Sequence, residues 1–87
     1  MSRFWPSGDP LRVLLDETAH PAIPLLLYWR GVEHRVCDLA DRWQVDTEWW
    51  QGRIAREYFK LTTDTGWLLV IYHDQVGGDW YLQRAYD

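Results

Sequence analysis

The chain has 87 residues and a formal net charge of −4, enough for one domain and too few for two. The acidic balance, with a sequence pI of about 5.2, argues against a general nucleic-acid binder, which carries a basic footprint. A single cysteine, Cys37, offers no disulfide framework and suits a reducing compartment. The longest apolar run, "AIPLLLYW" at 22–29, falls far short of the ~20 residues of a membrane span, and "MSRFWPSGDP" has no signal-peptide h-region. A soluble cytoplasmic domain is expected.

Residues 1–10, with Pro6, Gly8 and Pro10, read as a loose lead-in to a single small β-rich domain at 11–87. "LRVLLD", 11–16, reads as a first strand, and the proline-bearing "ETAHPAIP", 17–24, as a connection. "LLLYWR", 25–30, is a second strand, and Gly31 between two β-favouring runs predicts a tight hairpin into a third strand at 32–37. In "CDLADRWQVD", Asp38 has the chemistry of a helix cap, and Leu39 and Trp43 are spaced i, i+4. A short helix is expected at 38–44, with Trp43 facing the core beside Leu39. "TEWWQG", 47–52, reads as a loop or a helical turn.

The C-terminal half is more regular. "RIAREYFKLTT", 53–63, ends in an alternation that sends Phe59 and Leu61 one way and Tyr58 and Lys60 the other. "DTG", 64–66, is a hairpin turn. "WLLVIYHD", 67–74, is apolar on both faces and therefore a central strand. "QVGG", 75–78, turns the chain into a last strand at 79–86, and these three strands should pair in sequence order. The fold class that follows is mainly β: an antiparallel meander of about six strands, a half-open sheet or a small barrel, with one short helix near 38–44.

Reactive chemistry is sparse. His34-x-x-Cys37 has metal-ligand spacing, but a structural zinc site needs four ligands, and His20 and His73 have no spacing that recruits them. The competing reading makes His34 a solvent-facing strand residue and Cys37 a small buried one. As a nucleophile, Cys37 would need an oriented base, and His34 on the same strand faces the other way. Gly77-Gly78 lies between strands and reads as a turn, not a phosphate loop. No cofactor, metal or catalytic residue is assigned, and the chain is read as a non-enzyme.

The aromatics are the chief feature. Seven tryptophans, five tyrosines and two phenylalanines can each bury about 150–250 Å², a remedy for the thin core of a chain that buries only about 60–65% of its unfolded surface. Yet several tryptophans lie beside arginine, as in Arg42-Trp43 and Trp50-x-x-Arg53. That pairing fits a protein interface, a base-stacking surface or an aromatic core rimmed by arginine. Trp49 and Trp50 are adjacent and diverge in either a strand or a helical turn, so one of them should be partly exposed.

Arg42-Trp43, Trp49-Trp50, "REYFKL" (56–61), "LLYWRGVEHRV" (26–36) and "WYLQRAYD" (80–87) together resemble a small bacterial domain family of unknown function. Its members stand alone or lie at or near the C-termini of Y-family, damage-bypass DNA polymerase-like proteins. The resemblance spans roughly residues 11–87 and brings no catalytic residues. It implies an adaptor role in DNA repair or translesion synthesis, with a protein partner that is polymerase-like. It also suggests that Arg84 and Asp87 anchor the chain end as a charge pair. The expected interface is Trp49 and Trp50 framed by Arg42, Arg53 and Arg56. The alternative is single-stranded nucleic-acid binding through the same Trp and Arg side chains, which the net charge disfavours. No membrane partner is expected, and homo-oligomerisation stays open because a six-stranded sheet leaves edges that pair.

Overall fold

A computed structural model describes residues 2–50 and 52–86, with Trp49 described by its backbone alone. Six strands follow in order: β1 Arg3–Asp16, β2 Ile23–Trp29, β3 Val32–Trp49, β4 Gly52–Thr63, β5 Leu68–Asp74 and β6 Trp80–Tyr86. Each is antiparallel to the next in a single meander, and β6 pairs back with β1, so the ladder closes. Of the two forms expected, half-open or closed, the pairing is the closed one. The three C-terminal strands pair in sequence order, as the short turns joining them predict.

The inner face holds Leu11, Leu27, Phe59, Leu61, Leu69, Ile71, Leu82 and Ala85. Trp5, Trp29, Trp67 and Trp80 close around this core. Trp5 and Trp67 meet Trp29 edge-on, at centroid distances of 5.6 and 6.4 Å. For these four tryptophans the core explanation is the right one. Asp9 ties the first hairpin together: it accepts hydrogen bonds from Trp29 Nε1 at 2.7 Å and Arg30 Nε at 3.1 Å. Arg30 and Gly31 both have positive φ, 52° and 79°, the backbone of a two-residue hairpin that follows the strand twist.

No helix forms at 38–44; those residues belong to β3, which runs unbroken from Val32 to Trp49. Two register shifts against β4, between Val36 and Asp38 and between Leu39 and Asp41, are the reason. Each β-bulge adds a residue to one strand, so a period of two becomes a spacing of three. Val36 and Leu39 both pack on the inner core, and Arg42 lies over the core residue Phe59. That spacing imitates a helix in the sequence. It also sends Trp43 to the outer face, opposite Tyr58, so Trp43 does not share a face with Leu39. Two further residues depart from their expected burial: His34, ahead of the bulges, lies opposite the core residue Leu27 and shares the inward parity of Val36, whereas Cys37 falls in the first bulge. His34 is buried and shares a 2.6 Å hydrogen bond with Thr65 Oγ1. Cys37, the extra residue of the first bulge, is exposed.

Residues 3–10 are not a loose lead-in but the first half of β1. They pair with β6 at Arg3–Phe4 and again at Asp9–Leu11, and the register breaks between. Across that break Trp5 turns into the core. Gly8 approaches Tyr72 and Tyr81 so closely that a Cβ there would lie 2.6 Å from the Tyr72 hydroxyl and 2.7 Å from Tyr81 Cβ.

Candidate functional site

The outer face is built by register. Strand alternation sends Arg56, Tyr58 and Lys60 of β4 outward, and the pairing aligns them with outward residues of the neighbouring strands. One cross-strand row reads Trp43, Tyr58, Tyr72, Tyr81. Its rings touch in sequence: Trp43 stacks parallel on Tyr58 at 5.3 Å, Tyr58 meets Tyr72 at 5.3 Å, and Tyr72 stacks on Tyr81 at 5.2 Å. Tyr58 and Tyr72 are buried in this second cluster together with Val70.

Arg56 covers the row from one side. Its guanidinium sits 4.5 Å from the Tyr72 ring centroid, and Nη1 donates to the Tyr58 hydroxyl at 3.2 Å. That hydrogen bond raises the Arg56 pKa further above its ordinary value. Burial raises the Tyr72 phenol, and the nearby Arg56 charge opposes the shift.

The adjacent row reads Asp41, Lys60, Val70, Arg84, Phe4. Here the outer face opens into a groove of about 260 Å³, with Trp43 and Phe4 among its lining residues. Val70 lies on the floor between Lys60 and Arg84, which flank it on the neighbouring strands. Arg84 is held in place: its guanidinium lies 4.9 Å from the Phe4 ring and 5.7 Å from the Tyr86 ring, and Nη1 donates to the Tyr86 hydroxyl at 3.1 Å. Gln83, the extra residue where the β6 register shifts, also lines the groove. Phe4 is 51% and Trp43 37% exposed, so both present apolar surface to solvent. The groove can hold an apolar group over Val70 and an anionic group against Lys60 or Arg84.

The family model described as a domain of unknown function, DUF6504, matches residues 6–87. The chain belongs to this family. No curated protein and no solved structure matches it. The DUF6504 match takes in the groove except Phe4, and all of the aromatic row.

Of the five residues expected to form one interface, the four whose side chains are described, Arg42, Trp50, Arg53 and Arg56, do not form a single cluster. Arg42 lies on the inner side of β3, over Phe59 at 5.0 Å, and its Nη2 is 2.7 Å from Glu57 Oε2 in a largely buried ion pair. Arg53 forks onto Asp46 at 2.8 and 3.1 Å on the exposed end of the β3–β4 hairpin. Its hydrogen bond holds the Asp46 carboxyl below its ordinary pKa. Arg56 belongs to the outer aromatic row. Trp50 opens the β3–β4 connection and is 88% exposed, while the Trp49 side chain lies outside the described residues, as does Asp87, the proposed partner of Arg84. The residues that line the groove instead, Lys60, Val70, Arg84 and Tyr86, had a signal in the sequence. A central strand apolar on both faces implies a second covered face, and the outward positions of its neighbours on β4 and β6 are then its cover.

Proposed function

We propose that this domain is a non-enzymatic protein-interaction module whose outer groove receives an acidic segment of a partner protein that also carries apolar side chains. The observation that carries this reading is the groove itself: exposed Trp43 and Phe4 beside two cations that straddle an apolar floor, in a chain whose overall charge is −4. Aromatic and arginine side chains dominate the energetics of protein interfaces, and a local positive patch on an acidic protein selects for an acidic ligand. The resemblance to domains found with Y-family polymerase-like proteins directs the reading toward bacterial DNA repair. In it the module serves as a cytoplasmic accessory of translesion synthesis and binds a polymerase-like partner.

Single-stranded nucleic acid is the weaker reading. Base stacking needs open ring faces, and Tyr58 and Tyr72, 8% and 2% exposed, are already stacked on each other and on their neighbours. The test is a fluorescence and NMR titration with three probes: a short Asp/Phe-rich peptide, its Lys/Phe counterpart and an oligo-dT strand. The acidic peptide alone should bind, and Arg84→Glu should weaken it by roughly tenfold or more, about 1.4 kcal/mol. Equal binding of both peptides, or preference for the oligonucleotide, overturns the proposal.

A further inference from the structure

The hairpin of β3 and β4 carries an open edge. β2 pairs with β3 only from Val32 to Arg35. Beyond that point, among the described residues, β3 pairs only with β4. The two bulges end at Asp41, so Asp41–Trp49 is a regular stretch of edge. Its backbone groups alternate between facing β4 and facing outward, and an exposed row of such groups is a template for another strand. Space remains beside part of this edge, where an open region of about 650 Å³ is lined by Pro21, Arg42, Trp43, Gln44 and Glu57.

We infer that this edge pairs antiparallel with the same edge of a second copy, about a two-fold axis at Val45. The charges select the occupant and the register. Val45 is the midpoint of the regular stretch, and centring there sets Arg42 of each copy opposite Glu48 of the other, and Gln44 opposite Asp46. Arg42, whose Nε and Nη2 already hold Glu57 on one side, thus meets a second carboxylate on the other, and this contact occurs twice by symmetry. Moving the centre to Asp46 sets two like charges face to face, a register with Asp41 opposite Glu48 does the same, and a centre at Gln44 turns Arg42 toward Asp46, whose two carboxylate oxygens Arg53 already holds. Paired residues in the Val45 register share parity along the strand, so the hydrogen-bonding alternation of the two edges matches. The pairing also brings the hairpin end, where Trp50 is 88% exposed, level with Ala40 of the second copy. The outer groove is not consumed, so this assembly stands or falls separately from the proposed function.

The test uses the full chain in light scattering across a dilution series. The expected mass is twice the 10.5 kDa of one chain, reverting to one chain on dilution. Cross-strand positions bring Cα atoms within disulfide reach, so Val45→Cys in a Cys37→Ser background should oxidise to a covalent dimer. Glu48→Arg places like charges at both ends of the register and should raise the dissociation constant roughly tenfold or more. Asp79→Arg, the same charge change on the exposed β5–β6 turn, should leave the assembly unchanged, with circular dichroism confirming that each variant folds. A native chain that stays monomeric at every concentration overturns the inference. So does a dimer that Val45→Cys fails to link, or one that Glu48→Arg weakens no more than Asp79→Arg does.

Discussion

Replacing Gly8 with alanine tests the packing of the outer face at its tightest point. Two costs add there. Gly8 has φ +79°, and an L-residue in the left-handed region costs about 1–2 kcal/mol. The added Cβ also meets the Tyr72 hydroxyl at 2.6 Å and Tyr81 Cβ at 2.7 Å. Tyr81 Cβ is fixed to the β6 backbone, so β1 must lift away, an overpacking cost of about 1–3 kcal/mol. The expected loss is about 2–5 kcal/mol, and a domain of this size loses about 4–8 °C of melting temperature per kcal/mol. Gly31→Ala supplies the comparison, since Gly31 has the same φ of +79° with no atom within 4 Å of the added Cβ, so only the backbone cost applies. Urea titration of both variants at equal m-value separates the two terms. If Gly8→Ala costs no more than Gly31→Ala, β1 does not lie against Tyr72 and Tyr81 as described.

Trp43→Ala should destabilise by about 1–3 kcal/mol, through the lost stack on Tyr58 and the partial burial of the ring, whereas Trp50→Ala should stay within about 0.5 kcal/mol; chemical denaturation reads both. Arg42→Ala strands Glu57 at a largely buried position and should cost about 1–3 kcal/mol, a loss that Glu57→Gln partly relieves in a double-mutant cycle. At alkaline pH the folded Tyr72 phenol holds its proton more tightly than the unfolded one, whose pKa is 10.0. Its stabilising share is therefore complete below pH 10 and lost as pH rises through the higher folded value, so urea midpoints should fall over that window and fall less in Tyr72→Phe. In acid the sign reverses for Asp46: its folded pKa lies below 3.8, so the contribution is present above that value and disappears as pH drops through the folded one. Asp46→Asn should flatten the acid limb of a stability profile.

The meander was legible because strands 53–63, 67–74 and 79–86 are β-favouring runs joined by short turns, although the extra residue Gln83 breaks the period of two in the last of them. Phe59 and Leu61 face inward and Tyr58 and Lys60 outward, as their alternation required. The helix at 38–44 failed for a physical reason: a bulge leaves no residue-type signature in "VCDLADRW", yet it changes inward spacing from two to three. Propensity then favours a helix where the ladder with β4 imposes a strand. The lead-in misled in the same way, because Pro6 and Gly8 mark a break in pairing and not the absence of a strand. For the candidate site, the sequence drew attention to tryptophans next to arginine in the chain, but the groove is assembled across strands. Lys60, Val70, Arg84 and Phe4 become neighbours only through register. Arg42 and Arg53 are the arginines close in sequence to Trp43 and Trp50, and each is engaged by a carboxylate on its own hairpin.

The most direct test of the interaction-module reading is a two-dimensional amide NMR titration of the native chain with the Asp/Phe-rich peptide. The account predicts saturable shifts at Lys60, Val70, Gln83 and Arg84 and at the Trp43 indole, with no saturable change at the Arg53 and Asp46 amides, and loss of those shifts in Arg84→Glu. Shifts centred on the Asp46–Arg53 hairpin end while the groove stays silent would contradict it.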